Sequence, residues 1–449
     1  MLLAVFLLAG LALAQKGKKP TCVGNPACYF DVREHWGQYS PYFSAPHSSL
    51  QSFVPMGCKI TFGSVLSRHG SRYPTKKKSE AYKNLIERIQ KDVQYYGKGY
   101  EFIRDYNYSL GANDLTQHGK DELFESGKKF FYRYKQLAGK KAQPFVRASG
   151  SDRVIVSAQK FLRGFYGANG RDGGKYLDKI LVIPEAEGIQ NPLDHGNCKA
   201  FEDAHDSERA GEQKNAWKKF WATPVMDRLN EQLPGANMTL EDTISMMDLC
   251  PFNTVTSATL KLSPFCQLFT KQEWEAYDYY QSLDKWYAYG PGNPLGPTQG
   301  VGYVNELIAR LTRSPVKDTT TTNATLDSNP RTFPLNRVLY ADFTHDNTLM
   351  TVYGALGLYN NMSALPSDRV PLRREMDGYA ASWVVPFGAR MYVEKMRCGG
   401  HGEELVRVLV NDRVVAPKGC NADKLGRCKL KDFVNGLAFA KKGGLWNRC

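Results

Sequence analysis

Long hydrophobic runs are scarce in this chain of 449 residues. One apolar stretch lies at the N-terminus, over residues 2–13, and it is shorter than the roughly 20 residues that a membrane-spanning helix needs. It ends in Ala12-Leu13-Ala14, a small-x-small pattern that favours signal-peptidase cleavage. We therefore expect residues 1–14 to be a signal peptide, and residues 15–449 to be secreted to the extracellular space without a membrane anchor.

Several motifs of catalytic and metal sites are also missing. The chain has no Cys-x5-Arg loop, no Asp-x-Asp pair and no Gly-x-Ser-x-Gly turn, which argues against cysteine, aspartyl and serine nucleophiles. It has no Cys-x-x-Cys pair either. His195 and His205, with Asp194 and Asp206 nearby, have a spacing that fits no standard helix or hairpin geometry for a metal. We expect neither a metal site nor a cofactor.

Cysteine is present in an even number. An even count spread over a secreted chain predicts five disulfides, although spacing alone leaves their pairing open. Four Asn-x-Ser/Thr sequons, which agree with secretion, are candidate glycosylation sites. The ten cysteines are Cys22, Cys28, Cys58, Cys198, Cys250, Cys266, Cys398, Cys420, Cys428 and Cys449, and the sequons begin at Asn107, Asn237, Asn323 and Asn361.

Positive charge exceeds negative charge. The 59 Lys and Arg residues outnumber the 45 Asp and Glu residues, giving a formal net charge of +14. Such an excess indicates affinity for anions, but a merely solvated basic surface explains the bulk charge at least as well. No nucleic-acid-binding motif is present, so we expect no nucleic-acid partner.

Three segments share one pattern, in which an apolar strand runs into a polar turn and then a helix. The polar turns are residues 67–74, 147–151 and 342–346. Strands that feed helices predict an α/β sheet, and such sheets bind ligands at the carboxyl ends of their strands. The three turns are therefore expected at one site.

The segment between the second and third turns has a different pattern. Residues 217–229, 274–287 and 303–311 show helical spacing, and a loop rich in Gly and Pro covers 289–297. We predict a large α/β domain over about residues 15–195 and 330–449, with a smaller, mainly helical insertion over about 196–329. Residues 319–329 are expected to be an exposed loop, and residues 405–415 to be strands around an Asn411-Asp412 turn.

The first turn places His69 between Arg68 and Arg72. Guanidinium groups match phosphate oxygens in planar, forked geometry and stay charged at any useful pH. A histidine held between them could attack phosphorus while the arginines neutralise the oxygens. Arg147, from the second turn, would add a third cation if it converges.

The third turn supplies His345 and Asp346 at the start of a helix. The helix N-terminus favours an anion, and Asp346 is the natural proton donor for a leaving alkoxide. Fixed positive charge favours the ionised form of Asp346 and a bound phosphate favours its acid form, a balance that predicts activity at acidic pH. Each motif alone has a structural explanation, such as a helix cap, so the prediction depends on their joint occurrence.

Residues 68–74, with the sequence RHGSRYP, resemble the signature of the histidine acid phosphatases. The pair His345-Asp346 resembles the distal part of that signature. The resemblance is closest to the secreted fungal phytases and covers essentially the whole mature chain, including residues 262–266, 292–312 and 405–412. It implies hydrolysis of inositol hexakisphosphate, of the 3-phytase type, with His69 forming a phosphohistidine and Asp346 protonating the leaving group.

The resemblance also implies roles for other residues. Arg68, Arg72, Arg147 and His345 would hold the scissile phosphate. Further substrate contacts would come from Gln38, Tyr39, Thr75, Asp194 and Lys261. The implied disulfides join Cys58 to Cys398, Cys198 to Cys449, Cys250 to Cys266, Cys420 to Cys428, and Cys22 to Cys28. We expect a monomer.

Three questions stay open at this point. Lys76, Lys77 and Lys78 follow the first polar turn. They are equally well explained as the solvated start of a helix and as positive charges that attract the outer phosphates of a polyanion. An acid phosphatase of broad specificity fits the same motifs. A secreted, inactive anion-binding protein also fits the scaffold, although a binder has no need for both a nucleophile and an acid.

Overall fold

A computed structural model describes residues 30–46, 50–138, 143–203, 206–371, 375–399 and 402–449. The expected signal peptide, the expected Cys22–Cys28 disulfide and His205 lie outside the described residues. The chain divides into residues Met1–Asp31 and a unit spanning Val32–Cys449. The fold below is that of the larger unit.

A mixed sheet forms the centre of this unit. Its strands in the described residues are β1 (Cys58–Arg68), β2 (Phe145–Ser149), β3 (Leu181–Ile183), β4 (Leu339–Thr344), β5 (Arg390–Cys398), β6 (Glu404–Val410), β7 (Arg413–Val414) and β8 (Arg427–Lys429). Their order is β3-β2-β4-β1-β5-β6-β7, and β8 pairs with β6. Strands β1 to β4 are parallel, whereas β5 to β8 are antiparallel to their neighbours.

Helices cover the sheet and fill the stretch between β3 and β4. The α-helices of the described residues are α1 (Lys76–Asp92), α2 (Gln117–Arg133), α3 (Asp152–Ala168), α4 (Lys199–Glu202), α5 (Asp206–Gln232), α6 (Leu240–Thr256), α7 (Lys271–Asp284), α8 (Gly296–Gln299), α9 (Val301–Thr312), α10 (Ala324–Asp327), α11 (Asp346–Ala355), α12 (Ala381–Val384), α13 (Leu430–Gly436) and α14 (Ala438–Lys441). A π-helical turn, Lys285–Tyr289, continues α7. The predicted α/β class with a helical region is confirmed.

Aromatic side chains join the helices to the sheet. Phe130 of α2 packs against Phe161 of α3, with ring centroids 5.3 Å apart, and against Tyr392 of β5 at 6.4 Å. All three are buried, and burying each such side chain contributes about 2–3 kcal/mol of hydrophobic free energy. This packing fixes α2 and α3 beside the parallel strands whose ends carry the polar turns.

Strand register brings the polar turns together. In the parallel pair of β1 and β4, Arg68 lies opposite Thr344, and β2 lies on the other side of β4. The turns that follow β1, β2 and β4 therefore open at the same edge of the sheet, as the sequence predicts. The first turn also touches α2, since a Cβ on Gly70 would overlap the backbone carbonyl of Gly119. Only glycine at position 70 permits this approach.

A buried ion-pair network joins α9 to two strands. Arg147 of β2 donates to Asp342 of β4 (Nε–Oδ1 2.7 Å) and to both carboxylate oxygens of Glu306. Arg310 pairs with the other oxygen of Asp342 at 2.5 Å. All four side chains are buried, so each charge depends on its partners for stabilisation.

Residues 319–329 are only in part the exposed loop that their polarity predicts, since Thr319, Ala324, Thr325, Ser328 and Asn329 are exposed. Thr320 and Thr321 are buried, and residues 324–327 form α10. The carboxylate of Asp318 accepts hydrogen bonds from the hydroxyl groups of Thr320 and Thr322, which turns the chain inward. One carboxylate thus satisfies the hydroxyl groups of Thr320 and Thr322, whereas Oγ1 of Thr321 is buried without a hydrogen-bond partner.

Four disulfides join Cys58 to Cys398, Cys198 to Cys449, Cys250 to Cys266, and Cys420 to Cys428. These are the pairs that the family resemblance implies for the described cysteines. Among the helices that the structure describes, none is both long and apolar enough to cross a bilayer.

Asp327 makes the network sensitive to pH. Both of its carboxyl oxygens are buried, and the Glu306 carboxylate lies beside it. Burial and the Glu306 carboxylate together raise the pKa of Asp327 to about 8, so the group is protonated in the folded protein at acidic pH. Its contribution to stability is present at low pH and is lost as the pH rises towards 8.

We predict that Asp327→Asn removes this loss, because asparagine cannot ionise. Between pH 4 and pH 8 the free energy of unfolding of the wild type should fall by about 1–2 kcal/mol more than that of the variant, a figure discounted for partial solvation. Urea unfolding at several pH values measures the difference. Asp227→Asn, at an exposed position of α5, is the control. Parallel pH profiles for wild type and Asp327→Asn would contradict the prediction.

Candidate active site

A pocket of about 390 Å³ opens at the edge where the three turns meet. Its lining is almost entirely polar. It includes Gln38, Arg72, Arg153, Glu185, Asp194, His195, Asp284, Lys285, Tyr289, His345, Asp346 and Asn347.

His69 follows β1 directly and is 1% exposed. Its Nδ1 lies 2.9 Å from the carbonyl oxygen of Gly70. Because a carbonyl only accepts hydrogen bonds, Nδ1 must carry the proton, and the lone pair is then on Nε2. Burial, followed by Arg68 and Arg153, holds the pKa of His69 well below its usual range. The lowered pKa favours the neutral, nucleophilic form of the imidazole.

Arg68 is fully buried beneath the site. Its Nη1 donates to the carbonyl oxygens of Gln38 at 2.5 Å and Val385 at 2.7 Å, and its guanidinium lies 4.6 Å from the ring centroid of Phe387. Its Nε and Nη2 have no hydrogen-bond partner. Burial lowers the pKa of Arg68 to about 10, so the group stays charged. A buried cation with unused donors is a preformed anion site.

Two more guanidinium groups line the pocket. Arg72 donates from Nη1 to the carbonyl of Tyr73 at 2.8 Å, and its Nε is buried without a partner. Arg153, in the first turn of α3, also has a buried Nε without a partner, and its Nη2 lies 3.4 Å from Nδ1 of His345. Arg68, Arg72 and Arg153 thus surround the ring of His69, whose pKa all three lower.

The predicted convergence of Arg147 on this site is wrong. Its guanidinium is committed to Glu306 and Asp342, which use its donors inside the network described above. Arg153, six residues later on the same strand-to-helix segment, takes the expected place of the third cation. Sequence reasoning missed Arg153, although its position two residues after the Ser151 cap places it near the helix N-terminus that faces the pocket.

Asp346 lies in the first turn of α11 and is bound by two cations. Its Oδ2 is 2.5 Å from Nζ of Lys285, and its Oδ1 is 3.4 Å from Nη2 of Arg68. Burial alone raises the pKa of Asp346, but Arg68 and Lys285 outweigh burial and hold the pKa well below its usual range. Lys285, from the π-helical turn, carried no local signal in the sequence because only the fold brings it to α11.

His345 precedes Asp346 and stands against the ring of His69, with centroids 5.6 Å apart. Its Nε2 lies 2.8 Å from Oε1 of Glu185, a pocket residue that sequence reasoning also missed. Burial raises the pKa of Glu185, but its hydrogen bond with His345 contributes to a net lowering to about 2. A carboxylate accepts only, so Nε2 of His345 is the donor and its orientation is fixed.

The predicted substrate contacts fall into two groups. Gln38 and Asp194 line the pocket. Tyr39 does not, because it is buried with its ring 4.7 Å from that of Phe252. Thr75 and Lys261 are exposed and are not among the lining residues, so their predicted contacts with the substrate stay predictions.

The three lysines after the catalytic turn differ from one another. Lys76 and Lys77 are exposed at the start of α1. Lys78 instead donates to Oδ2 of Asp248 at 2.7 Å, and its ammonium lies 5.1 Å from the ring centroid of Tyr39. A solvated helix start therefore describes the first two lysines but not the third.

A neutral histidine, three guanidinium groups and a carboxylate at a helix N-terminus can form and break a bond to phosphorus. In the part of the chain that the structure describes, no group of three or more His, Cys, Asp or Glu side chains is arranged to hold a metal ion. Fold and site together define a phosphoric monoester hydrolase with a histidine at its centre.

Comparison with known proteins gives the family. Residues 59–411 match the model of the histidine phosphatase superfamily, branch 2. Phytase A of Emericella nidulans is 53% identical over 435 residues, which cover 96% of this chain and 93% of that protein. Phytase A of Aspergillus oryzae is 52% identical over 430 residues, which cover 94% of this chain and 91% of that protein. The crystal structure of the phytase from D. castellii has the same fold, with a TM-score of 0.75 at 22% identity, covering 97% of this chain and 90% of that one. The chain belongs to the histidine phosphatase superfamily, branch 2.

Replacing Arg147 or Arg153 by methionine distinguishes a structural role from a role in the pocket. Arg153→Met should lower kcat/KM about 100-fold while leaving the unfolding free energy nearly unchanged, because it removes one cation from the pocket. Arg147→Met should instead destabilise the fold by about 3–5 kcal/mol, because it leaves the buried Glu306 and Asp342 carboxylates short of a partner. Steady-state kinetics and urea unfolding of both variants provide the measurements. Loss of stability in Arg153→Met with retained activity would contradict the assignment.

Proposed function

We propose that this protein is a secreted phytase that hydrolyses phosphate monoesters of inositol hexakisphosphate through a phosphohistidine intermediate. The observation that carries the proposal is the neutral, buried His69, whose Nε2 is left free by the hydrogen bond of Nδ1 to Gly70. Two relatives that share about half of its sequence over nearly its whole length are named Phytase A.

In the first step, Nε2 of His69 attacks phosphorus while the bond from phosphorus to the inositol oxygen breaks. Arg68, Arg72 and Arg153 carry unused or solvent-facing donors for the phosphoryl oxygens, and their charge offsets the negative charge that develops there. Asp346 gives its proton to the departing oxygen, so the inositol leaves as an alcohol.

Asp346 needs a source for that proton, because its carboxyl is ionised in the free enzyme. A phosphate monoester has a second pKa of about 6, so its monoanion carries a proton into the pocket at acidic pH. The negative charge of the bound phosphate also opposes Arg68 and Lys285 and favours the protonated form of Asp346. The proton thus passes from the substrate to Asp346 and then to the leaving oxygen.

In the second step, water attacks the phosphohistidine. The Asp346 carboxylate accepts a proton from that water, the bond between phosphorus and His69 breaks, and orthophosphate is released. The imidazole returns to its neutral form. Because its pKa is held low, His69 is available as a nucleophile in acid, where the substrate monoanion is abundant. We infer an optimum at acidic pH.

Further proposals concern the whole chain. We infer cleavage of residues 1–14, secretion, a monomeric state, attack of the 3-phytase type, and an α/β domain (15–195 and 330–449) with a helical insertion (196–329). The exposed positions of Asn107, Asn237 and Asn361 support glycosylation there. Asn323 is less exposed, and its side chain accepts a hydrogen bond from the backbone N–H of Leu326 in α10.

The substrate proposal predicts a preference. The kcat/KM for inositol hexakisphosphate should exceed that for an aryl phosphate by at least about tenfold at pH 5, and a chelator should not change either value, because fixed cations stand where other phosphoryl-transfer enzymes use metal. His69→Ala should lose turnover but still bind inositol hexakisphosphate in calorimetry. Equal kcat/KM values would instead favour an acid phosphatase of broad specificity, and full turnover by His69→Ala would refute the mechanism.

A second prediction tests the proton donor. Asp346→Asn should lower kcat at least about 100-fold for inositol hexakisphosphate, whose alkoxide leaving group needs a proton. The loss should be smaller for an aryl phosphate, whose phenolate leaves without protonation. Asn347→Ala is the control, because it removes the neighbouring pocket side chain and one hydrogen-bond acceptor of Lys285 but leaves the Asp346 carboxylate in place. If Asp346→Asn slowed both substrates equally, protonation of the leaving group by Asp346 would be excluded.

A further inference from the structure

His195 is a pocket residue that the mechanism above does not use. It precedes α4, and its ring lies 5.7 Å from that of Phe201 and 5.4 Å from that of Tyr289, measured between centroids. Its side chain is 18% exposed and lines the same pocket as Arg72, Arg153 and Asp346. The aromatic neighbours fix the plane of the imidazole ring, so it is a positioned group rather than a mobile surface residue.

Glu202 holds one nitrogen of this ring. Nδ1 of His195 lies 2.7 Å from Oε1 of Glu202, and because a carboxylate only accepts, Nδ1 is the donor. In the described part of the chain Nε2 has no hydrogen-bond partner. In the neutral ring Nε2 is an acceptor, whereas in the imidazolium it becomes a charged donor.

The surroundings of His195 favour the charged form. Burial lowers the pKa of His195, but the hydrogen bond to Glu202 and the negative charges of Glu202, Asp194 and Asp346 outweigh it and raise the pKa above the usual value. These groups come from α4, from the loop of His195 itself and from α11. At acidic pH the ring therefore carries a positive charge.

Contacts through Tyr289 and Lys285 connect His195 to the reacting carboxylate, Asp346. The Tyr289 ring that packs on His195 also lies 5.2 Å from the ammonium of Lys285, which pairs with Asp346. No hydrogen bond or ring contact joins His195 to Arg68, Arg72 or Arg153 among the described residues. The pocket thus holds a second cationic position beyond the one that surrounds His69.

We propose that His195, held by Glu202, is a specificity-determining residue that binds a second phosphate group of the substrate through Nε2. The inference rests on the proposed function, because only a substrate with several phosphates fills both positions at once. A simple monoester occupies the arginines and leaves His195 without a contact. Asp194 and Asp284, two of the carboxylates in the lining, cannot donate a charge-assisted hydrogen bond to a phosphate when they are ionised.

The test compares two substrates in His195→Gln, whose amide is uncharged. At pH 5 the KM for inositol hexakisphosphate should rise about tenfold, as expected for one lost charge-assisted hydrogen bond, with kcat nearly unchanged. The kcat/KM for an aryl phosphate should change less than about twofold on the same grounds. Lys199→Gln, which removes an exposed cation from α4, is the matched control and should affect neither substrate.

Glu202→Gln tests the charge of His195 through the pH dependence of KM. A purely structural role of His195 would leave that dependence unchanged. In the wild type the low KM for inositol hexakisphosphate should be lost as the pH rises above the usual range of histidine. Because Glu202 raises the pKa of His195, the loss should occur at lower pH in Glu202→Gln. An equal effect of His195→Gln on both substrates, or none on either, would overturn the proposal, as would identical pH profiles.

Binding separates this proposal from the proposed function. Inositol hexakisphosphate should bind about tenfold more weakly to His69→Ala/His195→Gln than to His69→Ala in calorimetry at pH 5. If the wild type showed no kinetic preference for inositol hexakisphosphate, the phytase proposal would fail, and this binding difference would still decide the part played by His195. Equal affinities of the two variants would refute it.

Discussion

The parallel pairing of β1 with β4 is the constraint on which the site depends. Their register sets Arg68 opposite Thr344, so the residues that follow, His69 and His345, come to stand ring against ring. A shift by one residue would turn every side chain of β1 to the other face of the sheet. The contact of Gly70 with α2 and the aromatic packing of α2 and α3 act against such a shift. The geometry of the pocket therefore depends largely on residues that do not line it.

The partners of each buried arginine decide whether its positive charge is available to an anion in the pocket. Arg68 is held by two carbonyl groups and an aromatic face, which carry no net charge, and its carboxylate neighbour Asp346 also pairs with Lys285, so part of the charge of Arg68 is available to an anion. Arg147 is surrounded by carboxylates and has no charge to offer. The same residue type thus offers a positive charge to the pocket at one position and joins structural elements at the other. The difference lies in the partners rather than in burial, which is nearly complete for both.

Site residues could be predicted from the sequence where one short segment contains both the residue and the strand, turn and helix that position it. The run from Arg68 to Arg72 and the pair His345-Asp346 could be found because strand, turn and helix follow one another within a few residues, and their chemistry is unusual for a turn. Lys285 and Glu185 could not be found in this way, since each reaches the site from a distant segment and has no pattern of its own. Arg147 was misplaced because a strand pattern does not show which charged side chain the fold pairs internally.

The disulfide between Cys58 and Cys398 connects the beginning of β1 with the end of β5, across a sequence separation of 340 residues. His69, Arg153, Lys285 and Asp346 all lie between these two cysteines, inside one covalent ring. A protease that cuts a single peptide bond anywhere in this ring opens it without releasing a fragment. The four side chains therefore stay on one covalently connected molecule after a first cut.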